Sequence, residues 1–226
     1  MTKNFLGSEF FFLCLGAAIV LIYPIAFIDK GQLELIINQN HSPVLDVFFK
    51  YITHLGDGLT LAILLIILLF SNYTLAIISS FSIVFQSILV SLFKRWIFEG
   101  LERPLAFFDE SVSLNLVQGV DVHSHNTFPS GHTATGFALF ALILVILQNR
   151  NVILSTLLFF LAISVGFSRV YLMQHFLIDV YFGALIGMLS VLLGIYFTEI
   201  FFRKEQLDKW SKNSLMNFIS RRKNST

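Results

Sequence analysis

Apolar runs separated by short polar breaks occupy most of this chain. They cover residues 5–27, 59–70, 73–93, 137–147, 152–167 and 176–202. The fourth extends back to His132, and the last begins at His175 or Phe176. About 20 apolar residues in a helix cross a hydrocarbon core of ~30 Å. Within lipid such a helix satisfies its backbone polar groups inside its own segment. The pattern predicts an all-α, polytopic membrane bundle of six transmembrane helices, residues 1–202, followed by a tail, residues 203–226. Ser71-Asn72 leaves room only for a tight hairpin between the second and third runs. The second run is short unless it begins near Ile52 or Leu55. The first run is too long for a signal peptide and lacks a convincing small-residue cleavage site.

Two connections carry structure of their own. Ser42-Pro43 reads as an N-cap followed by the first helical residue. Asp46, Lys50 and His54 then recur at four-residue spacing on one face, with Val44, Leu45, Val47, Phe48 and Ile52 pointing elsewhere. That predicts an amphipathic helix lying in the membrane interface. His41 and His54 are expected to be interfacial rather than catalytic. Residues 96–128 form the longest polar stretch between spans. A loop of that length is functional or disordered, and Trp96, Phe98, Phe107 and Phe108 argue for order against the bundle or the lipid surface.

Composition removes the soluble alternative: 56% of residues are hydrophobic and 13% charged. A single cysteine, Cys14, excludes an intramolecular disulfide. No Cys/His cluster has zinc spacing, and no internal repeat is visible. Basic residues set the orientation. With both termini in the cytoplasm, Lys3, Arg150 and the seven tail Lys/Arg lie inside, against six outside. The tail then sits near anionic lipid. The same alternation puts Lys94, Arg95, Arg103, His132, Arg169 and His175 at one end of the bundle, whichever way the protein faces. The bilayer is an expected partner and nucleic acid is not. Oligomeric state is left open.

The chemistry concentrates in residues 123–136, HSHNTFPSGHTATG. Pro129 fits the start of a helix. Ser130 and Gly131 then offer backbone donors at a helix N-terminus, an anion site. His132 stands at the same end, able to give or take a proton. His175 and Asp179 lie four residues apart, hence on one helical face. An Asp inside an apolar span is expensive and marks function. Its simplest task is to hold one imidazole nitrogen and leave the other nucleophilic. Lys and Arg beside them suit a phosphate dianion. His123 and His125 either line a headgroup entrance or have no special role.

Three segments resemble the motifs of the type 2 phosphatidic acid phosphatase superfamily, membrane relatives of bacterial acid phosphatases and vanadium haloperoxidases. Lys94 to Pro104 is similar to the first motif, 129–132 (PSGH) to the second, and 168–175 (SRVYLMQH) with Asp179 to the third. The first departs from the commonest form: eight residues, not six, separate Lys94 from Arg103. Either Lys94 reaches in through a longer loop or Arg95 takes its place, and Lys94 is the better candidate. The resemblance implies a metal-independent phosphatase with no cofactor, acting on a lipid phosphate through a phosphohistidine. His175 would be the nucleophile, Asp179 its orienting partner, and His132 the acid and then the base. Lys94, Arg103, Ser130, Gly131 and Arg169 would hold the phosphoryl oxygens. It also implies integral membrane localisation, in a bacterial inner membrane with the site facing the periplasm or exterior. Candidate substrates are undecaprenyl diphosphate, phosphatidylglycerophosphate, phosphatidic acid and a lipid A phosphate. A lipid phosphotransferase would share every motif. A non-enzymatic transporter or channel is disfavoured, because the first three runs carry no interior charge.

Overall fold

The computed structural model describes residues 1–147, 151–211 and 213. Among them there is no strand, only an isolated bridge between Glu102 and His125. The elements are α1 (Thr2–Leu6), α2 (Glu9–Phe27), α3 (Gln32–Gln39), α4 (Pro43–Ile52), a 3₁₀ turn (Thr53–Gly56), α5 (Gly58–Ser71), α6 (Tyr73–Leu92) with a π-type turn (Phe93–Ile97), α7 (Pro104–Phe107), α8 (Gly131–Leu147), α9 (Val152–Tyr171), α10 (Leu177–Phe201) and α11 (Lys204–Ser211).

Among the described residues four helices are long and apolar enough to cross a membrane: α2, α6 with its π-type turn, α9 and α10. A fifth arises if α4 and α5, bent by 50° at their junction, form one span. α8 is apolar but shorter, at 17 residues. The first apolar run is broken at Gly7, and Ser8 caps α2 by accepting from Phe11 N–H at 3.3 Å. α2 and α5 turn Phe12, Ile19, Val20, Tyr23, Leu59, Ile63 and Ile67 outward. Exposed apolar surface on that scale belongs against lipid.

α8 is the core of the bundle, buried from Thr133 through Leu142. A helix that is apolar all round belongs in such a place. α10 can lie against it because glycines sit at the crossing. A Cβ on Gly183 would come within 2.5 Å of the Ser130 carbonyl oxygen, and one on Gly187 would collide with that of Ala134. Small residues bring membrane helices together in this way. At the opposite end from α8's first turn, the Met1 ammonium meets Glu199 Oε1 at 2.7 Å, and Thr74 Oγ1 donates to Leu207 O at 2.8 Å. The start of the chain and α11 therefore share one end of the bundle.

The connections are more structured than their polarity suggests. α3 is an element the apolar pattern does not predict; its buried Glu34 accepts from Leu177 N–H at 2.8 Å. α4 is the expected amphipathic helix, capped by Ser42 with Pro43 at its first turn. Its polar face holds other parts of the protein: Asp46 Oδ1 lies 3.0 Å from His41 Nδ1, and Lys50 donates to Gln118 O at 2.7 Å. The long loop is ordered against the bundle. Asn38 and Asn115 bond reciprocally, with Asn38 Oδ1 accepting from Asn115 N–H at 2.8 Å. Of the expected basic tail, residues 203–211 and 213 are described; the rest lies outside the described residues.

Candidate active site

The turn that ends α9 positions the first histidine. Leu172 N–H returns to Ser168 O at 2.9 Å, and Gln174 and His175 N–H both bond to Arg169 O, at 2.9 and 3.1 Å. Met173 takes a left-handed backbone, φ 55°, to make this reversal. His175 is left beside Arg169 and 2% exposed. Asp179 sits in the first turn of α10, where its Oδ2 accepts from Phe176 N–H at 2.9 Å and so caps the helix. The same oxygen lies 3.4 Å from His175 Nδ1. Thr127 closes the cluster: its Oγ1 is 3.3 Å from Nδ1 and donates a short hydrogen bond to Asp179 Oδ2. With the threonine hydrogen given to the carboxylate, both oxygens facing Nδ1 are acceptors. The hydrogen of a neutral imidazole therefore sits on Nδ1, and Nε2 keeps its lone pair.

Cations surround this imidazole. Burial first, then the charges of Arg103, Arg169, Lys94 and His132, hold His175 well below the usual imidazole range, so it is neutral at physiological pH. Arg169 is buried; its Nη1 donates to Thr53 Oγ1 at 2.8 Å, and its Nε has no partner among the described residues. A buried guanidinium donor left unpaired is costly and suits an anion. Lys94, half-buried in the π-type turn, lies within electrostatic reach of Arg103, Asp179 and Arg169. Arg95 is exposed.

Arg103 is engaged differently from the sequence expectation of a phosphate ligand. Its Nε donates to His125 O at 2.9 Å, and its Nη1 to Gln174 Oε1 at 3.0 Å and Gln174 O at 3.3 Å. Only Nη2, 3.5 Å from Asn126 O, is loosely held. Gln174 in turn donates to Asp121 O at 2.7 Å. Arg103 thus clamps the long loop to the His175 turn. His123 and His125 are exposed.

The second histidine stands at the start of α8. The helix begins at Gly131, so Pro129 lies outside it, after a cis peptide bond, and not at its first position. Ser130 Oγ caps the helix, accepting from Thr133 Oγ1 at 2.8 Å and Thr133 N–H at 3.3 Å. Ser130 N–H is spent on Asp179 O at 3.0 Å. The amides at the open end of the helix are therefore those of Gly131 and His132. His132 Nε2 lies 2.7 Å from Asp57 Oδ1.

Thr53, Asp57 and Thr127 are site residues that sequence reasoning missed. The first two come from the turn between α4 and α5. The alternation that groups the cations puts this turn at the same end, but a lone Thr and Asp in a polar connection carry no motif. Among the described residues no group of three His, Cys, Asp or Glu is placed to hold a metal ion.

The geometry offers a neutral, oriented imidazole facing fixed cations, an arrangement suited to attack on an anionic electrophile. A 78-residue stretch, 34% of this chain, is 36% identical to a lipid A 1-phosphatase of Porphyromonas gingivalis. It spans 18% of that relative's length, less than a fifth. The Aquifex aeolicus LpxE structure is similar over 74% of this chain and 94% of its own, with a TM-score of 0.63 and 28% identity. A transmembrane PAP2 type phosphatidylglycerolphosphate phosphatase from Bacillus subtilis shares the fold over 87% of this chain and 97% of its own, with a TM-score of 0.57 and 24% identity. Apolar helices and membrane neighbours together make this an integral membrane protein. The PAP2 superfamily pattern matches residues 61–203, most of the chain, and the chain belongs to that superfamily.

Proposed function

We propose that this protein is a metal-independent lipid phosphatase that passes a phosphoryl group through His175 to water. The observation that carries the reading is His175: buried, neutral, with Nδ1 facing Asp179 and Thr127, and under the charges of Lys94, Arg103 and Arg169. His175 attacks phosphorus, and the bond to the leaving oxygen breaks as His132 protonates it. His132 then takes a proton from water, whose oxygen attacks the phosphohistidine and releases phosphate. Lys94, Arg169 and the Gly131 and His132 amides hold the phosphoryl oxygens, with Arg103 contributing Nη2 and Ser130 its hydroxyl hydrogen. Catalysis here is positioning and charge stabilisation.

A cavity of about 660 Å³ supports a lipid substrate. Thr127 and Asp179 line its site end, and Leu89, Phe93, Phe98, Phe128, Phe182 and Leu189 make its walls apolar. A phosphate at Asp179's end would leave its hydrocarbon in this groove. The named relatives act on lipid A and on phosphatidylglycerolphosphate, so these two substrates lead the panel.

We propose six spans: α2, the bent α4–α5 pair, α6 with its π-type turn, α8, α9 and α10. α8 extends ~25 Å at 1.5 Å per residue, which suffices for a core helix near the lower length limit. The distribution of basic residues puts both ends of the chain in the cytoplasm of a bacterium and the site on the periplasmic side of the inner membrane. The test is phosphate release by purified protein from lipid A 1-phosphate, phosphatidylglycerophosphate, phosphatidic acid and undecaprenyl diphosphate. Release from at least one, retained in EDTA and lost in His175→Ala, is expected. Release from none, or strict dependence on added magnesium, overturns the proposal.

A further inference from the structure

His132 has a task in the proposed reaction that its surroundings oppose. To protonate a leaving oxygen it must begin as imidazolium. The ionisable groups facing it are Arg169 from α9, Lys94 from the π-type turn, the neutral His175 from the α9–α10 link and Asp57 from the turn before α5. Two of these are fixed cations, which disfavour a third positive charge. Asp57 is the one carboxylate among them.

The fold delivers Asp57 to the imidazole by close backbone contact. Gly56 packs on the first turn of α8 so tightly that a Cβ there would lie 2.6 Å from the His132 carbonyl oxygen. The next residue, Asp57, ends the 3₁₀ turn in extended backbone, φ −72° and ψ 142°. Its Oδ1 then lies 2.7 Å from His132 Nε2, and its Oδ2 lies 2.9 Å from His54 Nδ1. One carboxylate bridges two imidazoles. His132 is 36% exposed in the site, and His54 is 65% exposed at the surface.

We infer that Asp57 is the positioning residue for His132, held by His54, and that it favours the imidazolium form of His132 against the charges of Arg169 and Lys94. The inference rests on the proposed role of His132. With Nε2 bound to Asp57, Nδ1 is the nitrogen that meets the leaving oxygen. Asp57 neither touches the substrate nor exchanges a proton in the cycle; it stabilises the charged form of His132 and aims the ring.

The experiment compares Asp57→Asn and Asp57→Glu with the unaltered enzyme on an alkyl lipid phosphate and on p-nitrophenyl phosphate. Asp57→Asn should lower kcat on the alkyl substrate about 10²-fold, the lower range of what general acid catalysis supplies, with KM little changed. It should lower kcat for p-nitrophenyl phosphate far less in a single-turnover burst, because that leaving group needs little protonation. The alkaline limb of the pH profile should move to lower pH, since losing the anion favours neutral imidazole. Asp57→Glu should restore part of both effects. If Asp57 only fills the phosphate's place in the empty enzyme, Asp57→Asn will leave kcat and the pH profile unchanged and tighten inhibition by inorganic phosphate, which overturns the inference. Should Asp57→Asn not fold, His54→Gln carries the test from the surface. It should lower kcat on the alkyl substrate severalfold with the same alkaline shift, and an unshifted profile overturns the inference. His132→Ala separates the two levels. If it retains full activity on the alkyl substrate, the proposed reaction itself fails. If it is inactive while Asp57→Asn is normal, only the role of Asp57 fails.

Discussion

At the scale of single residues, the proposed division of labour between the two histidines follows from their environments. His175 is kept neutral by burial and by cations, so its protonation should begin only well below the usual ~6.5 of a free imidazole. In the proposed mechanism protonation would remove the nucleophile, so a depressed value preserves activity as pH falls. The acid limb of kcat/KM against pH is expected below 6.5, and a limb above it would contradict the charges described. Covalent labelling separates the roles. With labelled p-nitrophenyl phosphate, His132→Ala should accumulate acid-labile, base-stable phosphate on the protein, and His175→Ala should not. Label retained in His175→Ala, or absent from both, breaks the assignment. The His175–Asp179 pair was legible because four-residue spacing and an acid in an apolar run are local signals. Thr127 was not: it sits between Asp179 and Nδ1 through a contact 48 residues away in sequence. Two non-glycine residues with left-handed backbone, Asn126 and Met173, flank Thr127 and His175. Such conformations cluster where surrounding structure imposes them, and sequence alone gives no sign of them. The exposure of Arg95 and the charge environment of Lys94 lead to a third expectation. Lys94→Ala should reduce kcat/KM about 10²-fold, the scale of one transition-state contact. Arg95→Ala should change it little, and the reverse ranking would move the role to Arg95.

At the scale of elements, the sequence announces apolar helices more clearly than structured connections, for one physical reason. A span must be apolar nearly throughout, so its sequence announces it. A connection is polar whether it is loose or built. α3 shows the difference: Leu33, Ile36 and Ile37 have helical spacing, but eight residues among polar neighbours fall below any span criterion. The 53–57 turn carries no apolar signal of its own, although its Thr53 and Asp57 reach Arg169 and His132. The bend between α4 and α5 aims both side chains inward, and a bend leaves no periodic signature. Helix packing gives a test at this scale. In Gly183→Ala the new Cβ would meet the Ser130 carbonyl oxygen at 2.5 Å and Thr133 Cβ at 3.0 Å. Overpacking costs about 1–3 kcal/mol, and here it displaces the start of α8 from α10. The thermal midpoint in detergent should fall and kcat should fall with it. Gly16→Ala is the control, because its Cβ meets nothing within 4 Å. Equal behaviour of the two would mean that α8 and α10 do not cross as described.

At the scale of the molecule, the chain has two ends with different business. Lys94, His132, Arg169, His175 and the 53–57 turn gather at one. Met1 with Glu199, and α11 against the start of α6, gather at the other. Side-chain contacts that join the start of the chain to the end of α10 require an even number of crossings between them. Four strict candidates satisfy this, as do six spans once the bent α4–α5 pair and α8 are included. The two counts differ in where α8 and α5 lie relative to lipid, and a single labelling series distinguishes them. In a Cys14→Ala background, cysteine is introduced singly at Ser124 in the long loop, at Gln206 in α11 and at Asn72 between α5 and α6. Six spans place Ser124 on the periplasmic side and the other two in the cytoplasm. An impermeant thiol reagent should then label Ser124→Cys in intact cells, and the other two only after the membrane is opened. Labelling of Asn72→Cys in intact cells while Ser124→Cys stays protected would reduce the count to the four strict candidates, removing the α4–α5 and α8 crossings. Labelling of Gln206→Cys but not Ser124→Cys would keep the count and reverse the orientation, moving the phosphatase site to the cytoplasmic leaflet and changing which lipids reach it.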